Sequence, residues 1–395
     1  MKILYLTFYF EPDLCAGSFR NTTLAKSLSD QLGTNGIIDI ITTLPNRYKT
    51  YNVKAPLYEE KDNLRIHRIK TPVHKSGFLD QILSFKAFYR GAKKVLKEND
   101  YDLIFASSSR LFTAYLGYNV ARMIQKPLYL DIRDIFVDTM EDVLKNPAIR
   151  WTVIPVIKLI EKKVFNYAAH INLISGGFSS YFQLFKCNSF SNFSNGIDDE
   201  FLNIPMTENL HHSTANKRKS IVYAGNIGEG QGLDKIIPPA AKELGDEYKF
   251  IIIGDGGTKQ KLSDEISAGG LHEYIELRNP VGRKELIDIY NQADFLFIHL
   301  NDYKAFEKVL PSKIFELGAF NKPVIAGVSG FSHQFIQEHI PNVILFKSCD
   351  TKDFVEKMKN YDYRNEVRSV FIENYKRENI NKKLAASILS FIKLK

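Results

Sequence analysis

Cysteine is scarce in this chain, with three among 395 residues at positions 15, 187 and 349. They are too few and too widely spaced for a disulfide framework, and they lack metal-ligand spacing. Reduced thiols of a cytoplasmic protein are the expectation. No stretch reaches the roughly 18 consecutive apolar residues of a membrane span. The apolar run Met1–Phe10 is cut short by Glu11-Pro12-Asp13 and shows no small-residue cleavage site. It therefore reads as a first strand rather than a signal peptide. The loop after it lacks the G-x-G-x-x-G spacing, and no G-x-x-x-x-G-K-[ST] occurs anywhere. Both absences count against a dehydrogenase and a P-loop NTPase. Proline and glycine, 14 and 23 residues, are too few for a collagenous or low-complexity chain. Acidic residues are outnumbered, 45 against 53 basic, for a net charge of +8 and a pI near 9.0. That excess suits an anionic membrane surface or a phosphate-bearing substrate, and on composition alone leaves nucleic acid open.

What is present is an alternation of short apolar runs and helical patterns, at a length that suggests two or three domains. Lys2–Tyr9 precedes a polar loop with Gly17 and a helical pattern at Leu24, Leu28 and Leu32. Ser220–Ala224 repeats the arrangement, with a glycine-rich loop and a helical pattern over Leu233–Leu244. Further strands are expected at Gly36–Thr42, Leu64–Ile69, Asp102–Ala106, Pro127–Asp131 and His170–Ile174. In the second half they are expected at Lys249–Ile253, Tyr274–Leu277, Asp294–His299, Pro323–Ala326 and Asn342–Phe346. Apolar strands alternating with amphipathic helices argue for α/β domains with parallel sheets covered on both faces. Two such runs imply two Rossmann-like domains facing each other across a cleft. Residues 1–202 make the first domain and 220–364 the second. Between them 203–219 is a polar, aperiodic linker containing His211-His212-Ser213-Thr214, and 365–395 reads as helices packing at the domain junction.

Six segments carry candidate chemistry. Gly17 lies where backbone N–H groups at a helix start could approach an anion. The loop Gly225-Asn226-Ile227-Gly228-Glu229-Gly230-Gln231-Gly232 holds more glycine than a turn needs, and Gly254-Asp255-Gly256-Gly257 repeats the theme. Both follow strands at their carboxyl ends, where open α/β sheets bind ligands, and bare backbone amides there could meet phosphates. Asp131-Ile132-Arg133-Asp134 closes a strand with three charged groups, read either as a structural ion pair of Arg133 or as a carboxylate and cation facing a ligand. Asp100-Tyr101-Asp102 looks like a metal-binding pair but precedes its strand, away from the ligand end. In Leu310-Pro311-Ser312-Lys313-Ile314-Phe315-Glu316, Pro311 and Ser312 mark a helix start. Lys313 and Glu316 then share a face, as a surface ion pair or as a ligand site.

Taken in order, these pieces resemble the family 4 retaining glycosyltransferases of the GT-B fold, especially bacterial enzymes that build O-antigen and capsule repeat units. The motifs are Phe10-Glu11-Pro12-Asp13 with Gly17 and Arg20; Asp131-Ile132-Arg133-Asp134; Asn195-Gly196-Ile197-Asp198; Tyr223 to Gly228 with Gln231-Gly232-Leu233; and Leu310-Pro311-Ser312-Lys313 with Glu316. The resemblance implies transfer of a sugar, with an N-acetylamino sugar as one candidate, from a UDP-sugar to a polyprenyl-diphosphate-linked saccharide. It implies no metal, no cofactor and no nucleic acid. Donor contacts are expected from Gly17, Arg20, Gly225, Asn226, Gly228, Gly254, Asp255, Leu310, Pro311, Ser312, Lys313 and Glu316. Within that set Glu316 matches the carboxylate that grips the ribose and Lys313 a position near the diphosphate. Asp134, Arg133 and Lys313 are the expected catalytic residues. The sequence departs from the family where its first glutamate would fall, at Lys308, with Glu307 one place off. The Arg and Lys that often neutralise the diphosphate are here Glu229 and Gln231. A nucleotide-sugar 2-epimerase or a non-catalytic subunit would share the architecture. Trp151–Ile160 with Arg150, Lys162 and Lys163, and Phe78–Leu96 with Lys86, Arg90, Lys93 and Lys94, pattern as helices that could lie on the inner face of the cytoplasmic membrane.

Overall fold

The computed structural model describes residues 1–46, 53–72, 78–96, 100–108, 111–144, 146–187, 189–202 and 218–392, with backbone alone at 78–82, 142 and 143. The chain forms two compact units, Met1–Asn195 with Glu378–Lys395, and Gly196–Arg377.

In the first unit the strands are β1 Lys2–Thr7, β2 Ile37–Thr43, β3 Tyr58–Lys61, β4 Leu64–Ile69, β5 Leu103–Ser108, β6 Leu128–Ile132, β7 His170–Leu173 and β8 Phe190–Ser191. They lie in the order β3-β4-β2-β1-β5-β6-β7-β8. Every pairing is parallel except β3 with β4. The helices are α1 Ala16–Leu32, α2 Phe78–Val95, α3 Leu111–Ile124, α4 Phe136–Val143, α5 Pro147–Tyr167 and α6 Ser179–Phe182. β5 is buried along its whole length, as strands covered on both faces must be. Ile3, Ile38, Leu103 and Leu24 are fully buried in one core, each contributing about 1.5–3 kcal/mol. β3 and β8 escape a reading of apolar runs because one is a charged, exposed edge and the other has two residues. α5 begins four residues before the expected start. Asn146 caps it by accepting from Ala148 N at 3.0 Å, and Pro147 supplies a preset first turn.

The second unit contains β9 Lys219–Asn226, β10 Tyr248–Asp255, β11 Ile275–Arg278, β12 Phe295–His299, β13 Val324–Gly327 and β14 Val343–Phe346. The sheet is parallel throughout, in the order β11-β10-β9-β12-β13-β14. Its helices are α7 Leu233–Leu244, α8 Lys259–Ala268, α9 Arg283–Gln292, α10 Lys313–Gly318, α11 Gly330–His339, α12 Thr351–Lys359 and α13 Ser369–Asn374. Strand order reverses between β9 and β12, β10 and β11 lying to one side and β13 and β14 to the other, the switch point at which such sheets open a ligand crevice.

The last helix, α14 Arg377–Ser390, belongs to the first unit from Glu378 onward. Leu384, Ala385, Ile388 and Ile392 join Ile3, Tyr5 and Tyr129 in its core. Asn381 donates to Thr23 Oγ1 at 3.0 Å, and Tyr129 and Ser387 share a 3.0 Å hydrogen bond. The stretch expected as one group at 365–395 is thus divided, with α13 in the second unit and α14 in the first. Of the expected linker, 203–217 lies outside the described residues.

Candidate functional site

In the second unit β9 and β10 end side by side, with Gly225 opposite Gly254 and Asn226 opposite Asp255. Their glycines permit a close backbone approach. A Cβ on Gly254 (φ 154°) would stand 1.9 Å from the Gly225 carbonyl oxygen. One on Gly256 (φ 159°) would stand 2.2 Å from the Ile227 oxygen. Asp255 caps the turn by accepting from Gly256 N at 2.9 Å. Asn226 donates to Gln231 Oε1 at 2.7 Å, while Gly228 leaves room for that amide.

Two residues that sequence reading missed hold this loop in place. His299, at the end of β12, bonds the Gln231 oxygen through Nδ1 at 2.6 Å and accepts from Cys349 N through Nε2 at 3.0 Å. Those partners fix the Nδ1–H tautomer, and burial pushes the imidazole down to about 4, so it stays neutral. Asn301 donates its backbone N–H to Gly230 O at 2.9 Å and its amide to Glu229 O at 2.7 Å. Neither residue has a periodic signal. Only the switch between β9 and β12 brings them under the loop.

α10 follows the expected start. Ile314 and Phe315 donate to the carbonyls of Pro311 and Ser312 at 3.1 Å, and Leu310, Ile314, Phe315 and Leu317 anchor the turn in the core. The helix has six residues, and Ser312 makes no side-chain cap. Lys313 Nζ lies 2.7 Å from Glu316 Oε2 and 3.4 Å from the hydroxyl of fully buried Tyr290. Partial burial opposes its charge, but Glu316 and Tyr290 outweigh that and hold the ammonium above its usual range. Glu316 is 7% exposed, so the pair is not one on an open helix surface. Gly225 faces it, since a Cβ there would lie 3.8 Å from Lys313 Cε. The Asp198 of Asn195-Gly196-Ile197-Asp198 is gripped by Arg283 and Arg377, a structural clamp. Lys308 ends the single turn Lys304–Lys308.

The first unit gathers its charges at the carboxyl ends of β5 and β6. Arg20 is fully buried and meets Asp131 with two hydrogen bonds, Nε to Oδ2 at 3.0 Å and Nη2 to Oδ1 at 2.8 Å. Its remaining nitrogen and Nη2 also donate to the carbonyls of Ser194 and Phe193 at 2.8 and 2.9 Å. Expected among the donor contacts, Arg20 therefore has no surface to offer and organises the unit's interior instead. Burial raises the Asp131 carboxyl, yet Arg20 overrides it and holds it below the ordinary value. Arg133 is separate, its guanidinium lying against Gly17 and making no ion pair among the described residues. Asp134 accepts from the Thr139 hydroxyl at 3.2 Å, and burial pushes its carboxyl up to about 6 against that bond. On α5 the buried Glu161 accepts from Val137 N at 3.4 Å and from the Tyr181 hydroxyl. Asp102, in the disfavoured metal pair, accepts from Lys2 N at 2.9 Å at the opposite end of the sheet.

Residues 207–378 match the family model described as glycosyl transferases group 1. The match covers most of the second unit and begins in the stretch before β9. The whole chain is similar to the 2-deoxystreptamine N-acetyl-D-glucosaminyltransferase of Niallia circulans, 24% identical over 328 residues, 78% of this chain and 77% of that protein. Among solved structures, HepE of Anabaena in complex with UDP and glucose is 14% identical, with a TM-score of 0.69 over 99% of this chain and 100% of that one. WaaG, a glycosyltransferase involved in lipopolysaccharide biosynthesis, is 13% identical, with a TM-score of 0.66 over 98% and 99%. Two parallel-sheet α/β units with these neighbours make the glycosyltransferase fold GT-B. Among the described residues no helix is long and apolar enough to cross a membrane.

Proposed function

We propose that this chain is a glycosyltransferase that moves a sugar from a UDP-sugar to a lipid-linked saccharide, with retention of anomeric configuration and without a metal. The observation that carries this reading is the pair of partly exposed Lys313 and buried Glu316 beside Gly225, at the carboxyl end of a parallel sheet. Glu316 takes two ribose hydroxyls in charge-assisted hydrogen bonds. Lys313 and the amides of the loops at Gly225, Asn226, Gly228, Gly254 and Asp255 receive the diphosphate, with Leu310, Pro311 and Ser312 shaping the wall. As the sugar–phosphate bond breaks, negative charge gathers on the leaving diphosphate, and fixed donors stabilise it more than the ground state. The acceptor hydroxyl attacks the oxocarbenium-like sugar from the same face and passes its proton to the diphosphate. Asp134 and Arg133 serve the acceptor. Asp134→Asn is expected to lower turnover far more than donor affinity.

That the relative from Niallia circulans is an N-acetyl-D-glucosaminyltransferase favours an N-acetylamino sugar, and that WaaG acts in lipopolysaccharide biosynthesis favours a surface polysaccharide such as O-antigen or capsule. Attachment to the inner face of the cytoplasmic membrane is supported by α5. Its outer face exposes Trp151 (86%), Val156 (56%), Leu159 (54%) and Ile149 (45%) beside Arg150, Lys162 and Lys163, as an interfacial helix does.

Purified protein is to be incubated with a panel of UDP-sugars, with and without a polyprenyl-diphosphate-linked sugar and with EDTA, and the products read by mass spectrometry and NMR. Acceptor-dependent product with retained configuration in EDTA is expected. Turnover of the donor alone would identify an epimerase, and nucleotide binding without any turnover a non-catalytic subunit.

A further inference from the structure

At the end of β6 the first unit holds two guanidinium groups and treats them differently. Arg20 has Asp131. Both oxygens of that carboxylate are filled, Oδ1 by Arg20 and Asn172 and Oδ2 by Arg20 and Ser107. Arg133, two residues on, is therefore left without a contact to it. Asp134 is engaged with Thr139 instead. Among the described residues the Arg133 side chain has no ion pair, and its Nε is buried with no hydrogen-bond partner. Burial lowers its proton affinity, which Asp131 opposes and Arg20 reinforces. An uncompensated, partly buried guanidinium is costly. Its position is also fixed. Its backbone N–H is tied to Ser108 O at 3.0 Å, and its Nη1 and Nη2 lie 2.6 and 2.9 Å from where a Cβ of Gly17 would stand. Any other residue at 17 would displace the fork.

We propose that Arg133, laid against Gly17, is a phosphoryl-binding site of the first unit. A guanidinium presents parallel N–H donors that match two oxygens of a phosphoryl group. The choice of phosphoryl over carboxylate rests on the function proposed above, whose donor and acceptor both carry diphosphates. The ligand's charge replaces the counter-ion that Asp131 gives to Arg20.

The test is calorimetry on the full chain with three probes: inorganic pyrophosphate, UDP and farnesyl diphosphate. Arg133→Gln and Gly17→Ala are each expected to weaken pyrophosphate binding at least tenfold. The melting temperature of Arg133→Gln should equal or exceed that of the parent, because an unmatched charge has gone. Accompanying that loss of pyrophosphate binding, a weakening of farnesyl diphosphate but not of UDP assigns the site to the lipid acceptor, and a weakening of UDP but not of farnesyl diphosphate assigns it to the donor. Either result upholds a phosphoryl site. Pyrophosphate binding unchanged within twofold in Arg133→Gln, or absent from the parent protein, overturns it. Because pyrophosphate carries neither nucleoside nor sugar, the site can hold even if the parent fails to bind UDP, which would instead sink the proposed donor.

Discussion

Arg20 and Asp131, 111 residues apart in the chain, meet in a two-pronged ion pair with both side chains almost wholly withdrawn from solvent. The pair joins α1 to β6, and the other donors of Arg20 tie in the carbonyls of Phe193 and Ser194.

Breaking this pair should be expensive. Arg20→Ala or Asp131→Asn strands a buried charge, at a cost of about 3–5 kcal/mol. Arg20→Lys should rescue little, since an ammonium cannot reproduce the fork. The carboxyl of Asp131 is depressed in the folded protein, so its contribution is complete above the ordinary aspartate range and fades as pH falls below it. Urea melts from pH 7 down to pH 3 are the check. An Asp131→Asn protein as stable as its parent at neutral pH would refute the assignment.

Glu161 acts in the opposite sense. Burial lifts its carboxyl from 4.5 to about 7, despite the bonds from Tyr181 and Val137. The folded state then holds a proton that the unfolded state has released, so stability declines as pH rises from about 4.5 to about 7. Glu161→Gln should flatten that decline and be the more stable protein at pH 8, by an amount on the order of 2 kcal/mol. Thermal melts of both proteins at pH 5 and pH 8 measure it, and parallel curves would exclude it.

Lys313 and Glu316 separate under substitution. Glu316→Ala should weaken UDP binding more than tenfold, about 1.4 kcal/mol or more, as lost hydrogen bonds to a charged group do. Lys313→Ala should mainly lower turnover. Calorimetry with UDP beside thermal melts distinguishes these outcomes from a purely structural pair, for which UDP affinity would stay level while the melting point dropped.

Trp151 offers the test of the membrane face. The parent protein should pellet with anionic liposomes at low salt and be released as salt rises, since screened charges no longer hold it. Trp151→Glu should remain in the supernatant. Failure of the parent to pellet removes the membrane reading of α5.

The sequence by itself determined two largely parallel sheets, their strands other than β3 and β8, and the glycine loops at carboxyl strand ends. Those features are local: an apolar run, a helical period or a glycine cluster is visible without knowing what lies opposite. It also located the turn before Lys313, because Leu310-Pro311-Ser312 dictates its own geometry. The tertiary structure decided which charges meet. Nothing near Arg20 announces Asp131, and the two arginines at that strand end look alike until the fold buries one in a pair and leaves the other against Gly17. The switch in strand order at β9 and β12 alone brings His299 and Asn301 to the glycine loop. The apolar stripe of α14 could have packed anywhere, and it returned to the first unit because the hydrophobic effect carries no address.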